Sequence, residues 1–285
     1  MKSIINLIIS IAVFLFAVFI AGATEIDIVL KAVVLAFTIQ WVAFLPAYIF
    51  QTEKFYDLTG SLTYLTVMWY ALALTSNHFS DLSISNITIV LLITIWALRL
   101  GSFLFMRIHK DGEDKRFRSI KPSPSQFFMT WTLQGLWVSL CSMCALTAIS
   151  SEPGVVINTL FYIGLLLFIY GFSIEIIADK QKSKFRSIQE NRDRFITSGL
   201  WAKSRHPNYF GEIVLWTGIA FMSFSSLQGL QYLTLISPIF TYMLLVYVSG
   251  VRMLEDRADK KWGNDQTYIK YKDETSRLLV NHFKK

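Results

Sequence analysis

Charge is scarce in this chain: Asp, Glu, Lys and Arg make up 16% of the 285 residues, against 53% hydrophobic ones. Soluble domains run at roughly a quarter charged, so this composition cannot clothe a water-facing surface of ordinary make-up. It equally excludes a disordered chain, which needs low hydrophobicity and high charge. Cysteine is nearly missing, with two residues in all, too few for a disulfide scaffold. Cys141 and Cys144 form C-x-x-C inside an apolar run with no other clustered ligand, which argues against a zinc or thioredoxin-like role, and no metal site is expected. The chain has no G-x-G-x-x-G and no G-x-x-x-x-G-K-[ST]; a nucleotide, if bound, is held by something other than a Rossmann or P-loop turn. No repeat period, low-complexity tract or second soluble domain is evident.

Apolar length and aromatics are what the chain has in plenty. Mean hydropathy is +0.45, and Phe, Tyr and Trp reach 15%, a level suited to helices packed in a membrane and to its interfaces. Hydrocarbon about 30 Å thick needs roughly 20 apolar residues in helix. Runs at 3–22, 28–50, 58–75, 86–106, 126–150, 154–178, 209–225 and 230–250 meet or approach that, predicting an all-α polytopic bundle of about eight transmembrane helices. The third and seventh are short and polar-tinged. The first, with Lys2 ahead of it and Ala21-Gly22-Ala23 after it, also imitates a cleavable signal peptide.

The net charge of +7 could suggest nucleic acid, but its placement argues for a membrane. Segments 107–124, 179–208 and 251–285 hold 23 of the 27 basic residues, whereas loops 23–27, 76–86, 151–153 and 226–229 hold none. That asymmetry is the positive-inside pattern; it puts both termini in the cytoplasm. Residues 1–250 then form the bundle, and 251–285 a cytoplasmic tail that reads either as an interfacial helix or as a solvated, charge-laced one.

Polar groups at membrane depth are costly and mark candidate sites. Arg99 lies inside the fourth span and Arg107 two turns later, where it either snorkels to the headgroups or shares the face of Arg99. Asp57 opens the third span and can cap it. Asp57 and Tyr64, seven apart with Gly60 and Ser61 between them, also form a carboxyl–phenol pair suited to polarising a carbonyl. Glu175 and Asp179 stand four apart near the end of the sixth span, with Arg186 two turns further on. They either join a structural ion-pair network or face a ligand. Residues 197–212 place Arg205, His206 and Asn208 around Pro207 at a helix start, with Tyr209 next and Glu212 one turn inside. Free N–H groups and the dipole favour anions there. A fixed guanidinium suits phosphate, and a buried carboxylate suits ribose hydroxyls.

The stretch Gly199-Leu-Trp201 followed by Ser204-Arg-His-Pro-Asn-Tyr-Phe-Gly-Glu212 resembles the signature of the steroid 5-alpha-reductase-like membrane family, which includes a bacterial branch known only as a domain of unknown function. It is also similar to a stretch in sterol C14 reductases. Phe55-Tyr-Asp57-Leu-Thr-Gly60-Ser-Leu-Thr-Tyr64 and Arg99 through Arg107 into Gly112–Phe117 carry the likeness further, over about 50–275. The resemblance implies an NADPH-dependent oxidoreductase of the bacterial inner membrane that reduces a conjugated double bond of a steroid-like or other lipid. NADPH would lie in a cytoplasm-facing cavity of the half spanning about 126–250. Arg99, Arg107, Asp179, Arg186, Arg205, His206, Asn208, Tyr209, Glu212 and Arg252 would line it, with Asp57 and Tyr64 as catalytic groups. One departure stands out: Trp96 occupies the position of the family's catalytic tyrosine, so Tyr64 or Tyr56 substitutes, or the chemistry differs. Isoprenylcysteine-type carboxyl methyltransferases carry a similar Arg-His-Pro turn and a later acidic pair, here Glu255-Asp256, which implies S-adenosylmethionine instead. A lipid-binding carrier is a third possibility.

Overall fold

The computed structural model describes residues 1–75, 83–248 and 250–281. The expected loop at 76–86 therefore lies largely outside the described residues. Among these residues every regular element is helical: α1 (Lys2–Ala23), α2 (Asp27–Ile49), α3 (Tyr56–Leu74), α4 (Ile84–Asp111), α5 (Pro124–Ser150), α6 (Thr159–Ser187), α7 (Pro207–Phe224), α8 (Ile236–Met243), α9 (Val251–Trp262) and α10 (Gln266–Glu274). Each expected span falls largely within helix, and six helical stretches are long and apolar enough to cross a membrane. The candidates now forming α3 and α7 have 19 and 18 residues and are not among the six.

Local chemistry sets the boundaries. Pro124 sits in the first turn of α5, and the Ser123 hydroxyl accepts from the Gln126 N–H, a common helix start. Gly112, at φ +81°, closes α4 by returning its N–H to the Ile108 carbonyl. Two boundaries differ from expectation. The sixth span begins at Thr159 rather than 154, because Gly154 takes φ +87° beside Asn86. It then runs as helix to Ser187, carried on by Lys and Gln, good helix formers. The eighth is not one rod: a 3-10 turn (Gly229–Leu235), α8 and a π turn (Leu244–Val248) follow one another, and the break falls near Gly250. A side chain on Gly250 would collide with the Leu245 carbonyl and the Tyr209 ring.

The chain divides into two compact units, 1–161 with 222–237, and 162–221 with 238–285. In the first, α5 packs on α1, α2 and α3 and is the most buried of the six candidate spans. Ile4, Leu15 and Phe19 of α1 and Leu45 and Ile49 of α2 are exposed, an apolar surface that suits lipid rather than water. Residues 112–123 fold back onto this unit: Phe117 is buried among Ala47, Phe127 and Trp131. In the second unit α6 and α7 touch backbone to backbone. A Cβ on Gly211 would lie 2.5 Å from the Gly171 carbonyl oxygen, and one on Gly218 would lie 2.5 Å from that of Gly164. Small residues allow such close approach between membrane helices.

Candidate functional site

The candidate residues fall into two groups, one in each unit. In the first unit Asp57 does not cap α3. Phe55 holds the cap position with no side-chain bond, and Asp57 sits one residue into the first turn, half-buried. The capping expectation is thus corrected: the helix starts one residue ahead of Asp57, too early for its carboxylate to act as the cap. The charges acting on it are those of Arg107 and Arg116, opposed by Asp114. Arg107 is exposed, while Arg99 is half-buried with its guanidinium 5.3 Å from the Phe103 ring centre.

Both candidate phenols are engaged. Tyr56 donates its hydroxyl to the Thr130 carbonyl at 3.0 Å, and Tyr64 donates to the Trp137 carbonyl at 3.4 Å. Tyr64 is fully buried and meets Trp96 edge-on, ring centres 5.1 Å apart. Glu53 escaped the sequence reading, since an acid between spans passes for a solvated loop residue. It is buried, accepts the Asp114 N–H at 2.9 Å and pairs with Lys121, so it fastens the 112–123 loop at the start of α3.

In the second unit the Arg-His-Pro turn is clamped. The Trp201 indole donates to the Ala178 carbonyl at 3.0 Å, with the Lys182 ammonium 4.4 Å over its ring. Arg205 donates through Nε to Glu255 at 2.8 Å, and through one terminal nitrogen to the carbonyls of Lys272 and Thr275. The Arg205 N–H bonds the Ser276 carbonyl, and the Asn281 N–H bonds that of Lys203. The tail therefore docks on this turn through two helices and an extended end. His206 Nε2 stands 3.2 Å from Glu255, and its ring stacks parallel on Tyr209 at 5.9 Å.

Seven of the twelve residues of α9 are charged, which places Glu255 beyond the apolar part of its helical run. Burial pushes its carboxyl up, but His206 and Arg205 outweigh this and hold it at about 2. Burial lowers His206, against the upward pull of Glu255. The ring is therefore neutral at pH 7 and donates from Nε2. Its Nδ1 is then an acceptor, buried and without a hydrogen-bond partner among the described residues.

Glu175, Asp179 and Glu212 are all buried. The α6–α7 crossing brings two of them level: a Cβ on Gly211, next to Glu212, would lie 3.1 Å from the Glu175 Cβ. Asn208 and Tyr209 are half-buried, and Arg186 and Arg252 are exposed. A surface cleft of about 280 Å³ lined by Lys203, Lys270, Tyr271 and Thr275 involves none of the candidates, so it is not taken as the site. No group of three or more metal-ligating side chains occurs among the described residues.

Helices of this length and apolarity define a multi-pass, all-helical membrane protein. Residues 43–275 match the family described as "Protein of unknown function (DUF1295)", and the chain belongs to that family. No curated protein and no solved structure matches it.

Proposed function

We propose that the protein is a membrane oxidoreductase that uses NADPH to reduce a conjugated, enone-type double bond of a lipid. The observation carrying this reading is the set of buried acids, Glu175, Asp179 and Glu212, in apolar helices beside a clamped basic turn. Carboxylates at such depth are costly unless paired or solvated, and they mark candidate sites. The donor set suits the cofactor: carboxylates accept from ribose hydroxyls and from a carboxamide, and the orphan His206 Nδ1 accepts one more such donor. Arg205, already held by Glu255 and two carbonyls, acts as a positioning residue for the turn. We assign phosphate to Arg186 and Arg252, which are exposed, and arginine there would favour NADPH over NADH.

Bound NADPH would supply the hydride. The chain's part is to stabilise negative charge on the substrate carbonyl, a role we give to Asp57 in its protonated form. With Trp96 in the tyrosine position and both phenols donating to α5, Tyr64 or Tyr56 must turn from its carbonyl partner to assist.

A second reading, an S-adenosylmethionine-dependent methyltransferase, draws support from the bonds joining Arg205 and His206 to Glu255 of the Glu255-Asp256 pair. Thermal shift of the purified protein in detergent separates the readings. NADPH should raise the melting temperature, NADH less, and Glu212→Ala should abolish the rise. A rise with S-adenosylmethionine alone selects the methyltransferase, and a rise with none of the three leaves a lipid carrier. Asp57→Ala should keep the NADPH shift and lose turnover of an enone lipid; retained turnover removes Asp57 from the chemistry.

A further inference from the structure

The first unit holds buried polar atoms with no hydrogen-bond partner among the described residues, including Gln134 Oε1 and the indole N–H groups of Trp131 and Trp137. The Gln134 amide cannot be turned round to relieve this. Its Nε2 donates to the Tyr56 carbonyl at 3.0 Å, where an oxygen would meet an oxygen, so Oε1 faces elsewhere. Gln134 is 2% exposed, inside the most buried span. An unmet acceptor in such surroundings is costly.

Trp131 and Trp137 flank Gln134 at three-residue spacing, so they are its neighbours on the helix surface. The same surface faces the opening turns of α3. The Trp131 ring lies 5.0 Å from Tyr56, and the Trp137 ring 6.0 Å from Tyr64. Gly60 makes the room: a side chain there would collide with the Gln134 amide. Trp137 is partly exposed although its N–H is buried.

We propose that Gln134 and Trp137 bind the hydroxyl group of a membrane-soluble alcohol. The hydroxyl donates its proton to Gln134 Oε1, and its oxygen accepts from the Trp137 indole N–H. A single hydroxyl satisfies one orphan acceptor and one orphan donor together; an ether or a ketone cannot donate. The inference rests on the proposed function only in taking the helices around Asp57 and Tyr64 as those that meet the lipid, and not on which cofactor is used.

The test uses the purified full chain in detergent without cofactor. Hexadecanol, geranylgeraniol and cholesterol, each beside its own methyl ether, are titrated by tryptophan fluorescence. At least one alcohol should bind about tenfold tighter than its ether, the size of one hydrogen bond. Gln134→Met should erase that preference and leave the ether's affinity unchanged. Trp137→Phe, which spares the Gln134–Tyr56 bond, should erase it as well, and it carries the test alone if Gln134→Met does not fold. Equal affinity within all three pairs, as expected if a water fills the gap, overturns the proposal; so does a preference that survives in either folded variant. Alcohol preference without an NADPH shift keeps this inference and removes the reductase reading, and an NADPH shift without alcohol preference does the reverse.

Discussion

Arg205 and His206 share one acid, Glu255, fifty residues away in the chain. The Arg205 and Glu255 side chains are 14% and 16% exposed, so most of the pair's hydration is lost. Removing one partner of a buried pair costs about 3–5 kcal/mol. With this residual exposure, Glu255→Ala should cost about 3 kcal/mol and free the tail, read as a lower melting temperature and faster tryptic cleavage beyond residue 251. An unchanged cleavage rate contradicts the clamp. The same acid sets a pH dependence. Glu255 is held at about 2, below the ordinary 4.5, so its stabilisation is present above 4.5 and is lost as pH falls towards 2. His206 is lowered from 6.5 by burial, so protonation favours the unfolded form once pH falls below about 6.5. Both effects run the same way. Hydrogen exchange in α9 and α10, corrected for intrinsic rate, should show more frequent opening at pH 4.5 than at 7.5. Arg205, His206 and Tyr209 were legible because one short turn holds them. Glu255 as the partner of Arg205 and His206, Glu53 and Gln134 were not, because a lone polar residue shows its partners only once distant helices meet.

Among the elements, the long apolar runs showed where helices lie, but not where they break or how closely they pack. Gly164, Gly171, Gly211 and Gly218 could be counted in the sequence, yet only the α6–α7 contact reveals that each pair is spaced seven apart to let two backbones touch. Gly211→Leu places atoms where the Gly171 carbonyl stands. It should destabilise by at least the 1–3 kcal/mol typical of overpacking and push Glu212 away from Glu175; a melting temperature within error of wild type removes the close crossing. The charge of the basic segment 107–124 does not show how it packs; Phe117 anchors it among Phe127, Trp131 and Tyr56. Phe117→Ala should cost about 3–5 kcal/mol and expose Lys115–Lys121 to trypsin, and continued protection of that stretch contradicts the anchor.

For the whole molecule, composition alone carried the class: a chain so poor in charge and so rich in apolar helix belongs in a bilayer. Handedness across the membrane rests on the placement of basic residues. It predicts that a cysteine at Glu25 labels from outside and one at Lys203 from inside, against little background, since Cys141 and Cys144 are buried; the reverse pattern inverts the topology. The proposed place of the cofactor rests on the buried acids of the second unit. The most direct measurement is NADPH fluorescence during titration into the purified protein. Emission should rise and shift to the blue, persist in Asp57→Asn and vanish in Glu212→Ala. No change with the wild type, or an enhancement that Glu212→Ala leaves intact, contradicts the proposed site.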